Sequence, residues 1–290
     1  IDLLVERAEF GHGGNQEVIR PMARMSNVEV LLVTPQMQSF EAGEKVRDNP
    51  HMKLEEIDVP NWDYDYDFWS ESKVELEGST INFNRIIMPM NENEEEMISW
   101  LKKMELDAVV CSGSRRNVSI WEKWMSPTET LFRAAAKSGI PTLGICFGHQ
   151  LLCHSLGSKV ERAEKFSSGI WNLELTKEGE NDELLTNHTE NIREIATLFS
   201  HQDHVMSVPK NCTLLSRTSH NDITAIRVND DLGNPLPAWG IQFHPEAARK
   251  RIERAYGWGH ISEEEYKSFR GEHDGSGILS SFAKIVAEKV

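Results

Sequence analysis

The sequence predicts an α/β protein with a mostly parallel central sheet flanked by helices, and a mixed-sheet extension in its second half. Three observations carry that expectation. Apolar, β-branched runs at 28–34 (VEVLLVT), 84–89 (NRIIMP), 107–113 (DAVVCSG) and 140–146 (IPTLGIC) alternate with helical stretches, the order expected of βα units. The runs are nearly continuous in hydrophobicity, as strands covered on both faces are. From residue 169 onward, strand-like segments at 169–176, 195–200, 212–219, 223–228 and 238–243 follow one another across short turns, which suits antiparallel additions to the sheet.

The elements between the strands can be read in order. Ser126-Pro127-Thr128-Glu129 supplies an N-cap, a first-turn proline and a capping-box glutamate, and Gly139 supplies a stop, so a helix is predicted over 127–138. It leads into the run ending at Cys146. After Pro245 the chain reads as helical to its end. Ser262 with Glu265 forms a capping signal, and Ile278, Leu279, Phe282, Ile285 and Val286 line one apolar stripe that suits docking on the core. Residues 60–77 alternate aromatic and acidic side chains, the pattern of a half-buried strand in an exposed hairpin or insertion; a lid or docking surface is the functional alternative. No Pro/Gly/Ser-rich linker and no internal repeat divides the chain, which reads as one domain over 1–290.

Composition removes several functions. The formal charge of −15 opposes nucleic acid and anionic membrane surfaces as partners. No apolar run approaches the about 18 residues that span a bilayer, and acidic residues stand in the first ten positions where a signal peptide carries basic ones. The sequence opens on Ile1 rather than Met, as from a trimmed start. Four separated cysteines, without CxxC spacing, predict neither a disulfide framework nor a zinc site, and suit a reducing, cytoplasmic setting. His188, His201, His204, His220 and His244 fit no metal spacing; His201 and His204 sit in what reads as a strand end and loop. No metal and no cofactor is predicted.

One segment points to nucleophilic chemistry. Gly144-Ile145-Cys146-Phe147-Gly148-His149-Gln150 follows a strand and opens a helix. A cysteine at such a turn projects from the sheet's carboxyl edge, its flanking glycines permit the tight backbone, and the helix N-terminus favours its thiolate. The amide of Phe147, one residue on, is placed to bind an oxyanion. Cys111, Cys153 and Cys212 lack this context and read as small hydrophobic side chains. Ninety-eight residues after Cys146, a second strand ends in Gly240-Ile241-Gln242-Phe243-His244-Pro245-Glu246. His244 is the candidate base, and Glu246, folding back across Pro245, its orienting carboxylate.

GICFGHQ and FHPE, in this order and separation, resemble the class I glutamine amidotransferase family, whose glutaminase module in GMP synthetase and stand-alone relatives is most alike. The recognisable part is about 105–250; residues 1–104 are divergent and 251–290 add helices. The resemblance implies a flavodoxin-like fold, and it implies that Gly113, in the loop after Cys111, gives the second oxyanion amide, although Ser114 stands where many members have proline and Arg115-Arg116 follow. It further implies that Gln150 and the segment Ser200, His201, Gln202, Asp203 grip the amino-acid end of glutamine. The implied reaction is hydrolysis of a γ-glutamyl amide through a cysteine thioester, with ammonia passed to a separate synthetase, since no P-loop is present. A γ-glutamyl peptidase acting on glutathione-like conjugates and an inactive binding protein are the alternatives.

Overall fold

The computed structural model describes residues 1–4, 13–47, 49–55, 68–189, 194–259 and 261–289. Along its central strands, large and glycine-sized residues alternate, and that alternation sets the layers. In β5 (Thr142–Ile145), Leu143 and Ile145 face one side and Gly144 the other; in β11 (Pro235–Ile241), Trp239 and Ile241 face the same side as Leu143, and Gly240 lies opposite. The large residues pack under α1 (Gly13–Ala23), α6 (Glu183–Thr186) and α9 (Gly275–Ala287), through Val18, Leu184, Ile278 and Phe282. The glycine side lets α5 (Phe147–Ser155) press against the backbone: a Cβ on Gly240 would stand 2.6 Å from the His149 ring. Beside α5 on that face lie α3 (Glu94–Met104) and α4 (Met125–Lys137), whose Trp100, Leu101, Leu131 and Phe132 form the second core layer. Each such buried side chain contributes about 1.5–3 kcal/mol.

β5 pairs in parallel with β4 (Val109–Cys111) on one edge and with β11 on the other. Beyond β11 the sheet continues antiparallel through β10 (Asn221–Asn229), β9 (Cys212–Thr218) and β7 (Glu174–Leu175). This is the predicted mixed extension. A second sheet orders β1 (Glu29–Val33), β3 (Ser79–Ile86) and β2 (Glu71–Leu76), with β1 and β3 parallel and the short α2 (Phe40–Lys45) following β1. Residues 1–3 stitch the two together: the Asp2 amide donates to Val33 and the Ser112 amide to Ile1. A buried Arg85 holds that seam, bonded to Asp2 and Thr34 and stacked 4.2 Å from the Trp69 ring. Finally β6 (Val160–Asn172) and β8 (Ala196–Val205) make a long antiparallel pair, tied to the end of β11 by the His244 amide on Leu198 O at 2.8 Å.

Several boundaries differ from the sequence reading. Ser126 does not cap α4, which begins at Met125; its carbonyl accepts from Thr130 Oγ1 and its hydroxyl from Trp121, while Glu129 is drawn away to His154 at 2.7 Å. Gly139, at φ 75°, does stop the helix. The second apolar run lies earlier than expected, since β3 starts at Ser79 and ends at Ile86, because it pairs with β2 across the Glu77-Gly78 turn. That pairing makes 71–76 a hairpin strand with the alternating exposure its sequence showed; positions 60–67 lie outside the described residues. Segment 200–205 is not a strand end and loop but the second half of β8, because β6 continues alongside it to Val160. After Pro245, α7 (Arg249–Gly257), α8 (Glu263–Ser268) and α9 follow as expected, and Ser262 and Glu265 form the capping box. No helix among the described residues is long and apolar enough to cross a membrane.

Candidate active site

Cys146 joins the last residue of β5 to the first of α5 with φ 51° and ψ −99°. A side-chain-bearing residue held there stores about 1–3 kcal/mol of strain. The surroundings fix it from both ends, since its amide donates to Ile241 O at 2.8 Å and its carbonyl accepts from Gln150 N at 3.0 Å. Gly148, early in the first turn of α5, is what lets the helix begin here: a Cβ on it would stand 2.4 Å from the Cys111 carbonyl oxygen of β4. Gly148→Ala is therefore expected to push α5 off the sheet and lower stability by about 1–3 kcal/mol, read as a lower urea midpoint at unchanged slope.

His244 and Glu246 leave the carboxyl end of the neighbouring strand β11. Their side chains meet at 2.9 Å, Nδ1 to Oε1, with the Glu246 side chain 3% exposed and that of His244 14%. The two-residue spacing across Pro245 thus does place the carboxylate on the imidazole. Arg251 Nη1 lies 3.8 Å from the same Oε1, and Gly14 at the start of α1 closes over the Glu246 side chain, with room for no more than a Cβ at 3.0 Å. Neither was identified from the sequence. Arg251 follows Glu246 by five residues, which was its only local signal.

Electrostatics divide the titratable groups. Burial alone would lower the His244 imidazole, but the Cys146 sulfur and then the Glu246 carboxylate outweigh it and hold it well above the ordinary histidine value. Burial likewise works to raise Glu246, and the charges of His244 and Arg251 bring it below the ordinary carboxylate range. The imidazolium is therefore the favoured form beside the sulfur. The other thiols are pushed the opposite way: burial raises Cys111 and Cys212 to about 12 and Cys153 well above its ordinary value. They stay protonated and poor nucleophiles.

Gly113 lies directly over this pair. A Cβ added to it would meet His244 Cε1 at 3.0 Å and Cys146 Cβ at 3.8 Å, so the loop after β4 packs against both residues. Ser114 does not loosen the loop: its hydroxyl accepts from the Arg116 amide at 3.1 Å and donates to Leu3 O at 3.5 Å. From β8, the Ser200 carbonyl stands 3.9 Å from Sγ.

The remaining predicted residues are turned to other partners. Gln150 is buried and donates to Asp203 O at 2.9 Å and to Gln242 Oε1 at 3.1 Å. His201 is buried too, with Nδ1 3.0 Å from Asp203 O, and burial followed by the neighbouring His204 drives its pKa down to about 3, so it is neutral. Gln202 donates to Ala163 O of β6, and the Asp203 carboxylate accepts from Ser119. Cys146, His244, Glu246, Gly113, Phe147 and Ser200 thus form one centre, whereas Gln150, His201 and Asp203 form a buried network behind it. Gln242 and Ser119 belong to that network and were not singled out from the sequence. Among the described residues no group of three His, Cys, Asp or Glu side chains is placed to hold a metal ion.

Strand, turn, cysteine, helix and a His–Glu pair from the adjacent strand set a cysteine, a histidine and a glutamate together at the carboxyl edge of an α/β sheet. The chain belongs to the class I glutamine amidotransferase family, whose model, Glutamine amidotransferase class-I, matches residues 71–256. It is 32% identical over 149 residues to a glutamine-hydrolyzing GMP synthase subunit of Pyrococcus abyssi, covering 51% of this chain and 62% of that one. The corresponding GMP synthase subunit of Pyrococcus furiosus is 29% identical over 65% of this chain and 80% of its own. The chain spans 28% of the glutamine-hydrolyzing GMP synthase of Thermus thermophilus, at 33% identity over 56% of this chain. Among solved structures, a glutamine amidotransferase from Thermotoga maritima aligns over 91% of this chain and 99% of its own, with a TM-score of 0.53 and 18% identity, a likeness of fold.

Proposed function

We propose that this chain hydrolyses the γ-amide of glutamine. Cys146 attacks the amide carbon, the amides of Gly113 and Phe147 receive the oxyanion, and His244 protonates the departing nitrogen as ammonia. Water, deprotonated by the same imidazole, then attacks the thioester and releases glutamate. Glu246 keeps Nδ1–H directed to itself and Nε2 toward the sulfur. In this reading the ammonia serves a separate synthetase, in a reducing, cytoplasmic setting, a role supported by the likeness to GMP synthase subunits. The observation that carries the proposal is the 2.9 Å His244–Glu246 pair set against a cysteine at a strained strand-to-helix turn, under Gly113.

The test is direct. The purified protein, alone and with a co-purified synthetase, is supplied with glutamine and with γ-glutamyl dipeptides, and ammonia, glutamate and amino-acid release are measured. Ammonia release from glutamine supports the reading. Turnover of γ-glutamyl dipeptides with inertness to glutamine under both conditions would replace it with a γ-glutamyl peptidase.

A further inference from the structure

The loop that carries Gly113 is fastened at two places. Near β4 it is held by Ser112 and Ser114: Ser112 Oγ accepts from the Leu3 amide at 2.9 Å and donates to Gly113 O at 3.0 Å, and Ser114 bridges Leu3 O to the Arg116 amide. At its far end Ser119 makes two bonds to one side chain, its amide to Asp203 Oδ2 and its hydroxyl to Asp203 Oδ1, both at 2.8 Å. Asp203 itself is 1% exposed on β8. Its backbone oxygen takes Gln150 Nε2 at 2.9 Å and His201 Nδ1 at 3.0 Å, and Gln150 sits in the first turn of α5, where its amide caps the Cys146 carbonyl.

One residue therefore ties together the two segments that present the oxyanion donors: the loop of Gly113 through its carboxylate, the helix of Phe147 through its carbonyl. Both carboxylate oxygens are bonded to the loop and the side chain is buried, so in this arrangement the carboxylate faces Ser119. We propose that Asp203 and Ser119 are positioning residues that clamp the 113–119 loop to β8 and set the spacing between the Gly113 and Phe147 amides, rather than parts of the pocket for glutamine's charged end. This rests on the function proposed above. Such a clamp acts on the step in which the carbonyl oxygen gains charge, and it is indifferent to reactions of the sulfur that create no oxyanion.

Two readings of Cys146 chemistry separate these. The γ-aldehyde analogue of glutamine adds the thiolate to its carbonyl carbon; the C–S bond forms, the C=O π pair moves to oxygen, and that oxygen takes a proton from His244. Iodoacetamide alkylates the same sulfur with loss of iodide and no oxyanion. Ser119→Ala and Asp203→Asn are each expected to lower kcat for glutamine and aldehyde affinity by about 10- to 100-fold, with KM changed less than about threefold, alkylation less than about twofold, and the double variant no worse than the single ones. Ser119→Thr, which keeps both donors, restores activity. Hydrogen exchange of the 113–120 amides, read by mass spectrometry, is expected to rise in both variants, and this readout needs no substrate. Should Asp203→Asn fail to fold, Ser119→Ala, at an exposed position, carries the test alone. A rise in KM with kcat unchanged, or unaltered exchange in the loop, overturns the clamp. If the native protein leaves glutamine untouched yet exchange rises in the variants, the clamp stands and the functional reading falls.

Discussion

Cys146→Ala is expected to abolish ammonia release from glutamine, with a loss of at least about 10³-fold in kcat, and to leave the fold intact. Cys146 is the thiol that sits at a helix N-terminus against an imidazole held in its charged form. Its three counterparts are raised by burial and cannot substitute. Removing the sulfur also relieves no packing constraint, since what fixes the turn is backbone bonding to Ile241 and Gln150. The variant should therefore unfold cooperatively with the native secondary structure while showing no turnover; measured activity within tenfold of native would remove Cys146 from the mechanism.

The second large effect concerns Glu246→Gln, for which kcat is expected to fall by about 10²- to 10⁴-fold and the pH profile to move in a definite direction. Against burial, which lowers it, the His244 pKa is raised by Cys146 and by Glu246. Deleting the Glu246 charge lowers the His244 pKa, so the imidazolium that protonates the leaving nitrogen is lost sooner as pH rises. The alkaline limb of kcat/KM accordingly shifts to lower pH. Stability follows the same sign. A raised His244 contributes stability that is fully present below the unfolded value near 6.5 and lost as pH rises through the folded one. A lowered Glu246 contributes stability present above its unfolded value of 4.5 and lost as pH falls through the folded one. The native-minus-variant difference in urea midpoint should therefore be widest between those limits. An unmoved alkaline limb would assign the orientation of His244 to another group.

The geometry of the candidate centre was legible because each part is written locally. Gly144, Cys146 and Gly148 encode a turn between strand and helix, and His244-Pro245-Glu246 folds back over two residues, so no long-range information was needed beyond the adjacency of β5 and β11. Gly113 was legible only through family resemblance; its proximity to His244 depends on how the loop after β4 is tied down. What ties it is an Asp203–Ser119 bond between residues 84 apart, and short polar loops give no sequence signal of such partners. The roles suggested for Gln150, His201 and Gln202 show the same gap: the motif marks the segment, but its side chains are turned toward Asp203, Gln242 and Ala163. In the fold, apolar runs located the central strands well because burial on both faces leaves a plain signature. Ser126 misled because a capping pattern was satisfied in composition while the helix began two residues earlier than the predicted 127, at Met125, with Thr130 bonding back to Ser126 O. The seam made by residues 1–3, and the buried Arg85 that holds it, had no periodicity to announce them.

The claim that Cys146 is the activated nucleophile of a glutamine-binding site is tested most directly by site-resolved labelling. The protein is treated with a diazoketone analogue of glutamine, with and without excess glutamine, and adducts on each of the four cysteines are located by fragmentation mass spectrometry alongside ammonia release. The account predicts a single adduct, on Cys146, that forms in step with loss of activity, is slowed by glutamine and is absent in His244→Ala. Adducts on Cys111, Cys153 or Cys212 at comparable rates, or ammonia release that persists after Cys146 is fully labelled, would contradict it.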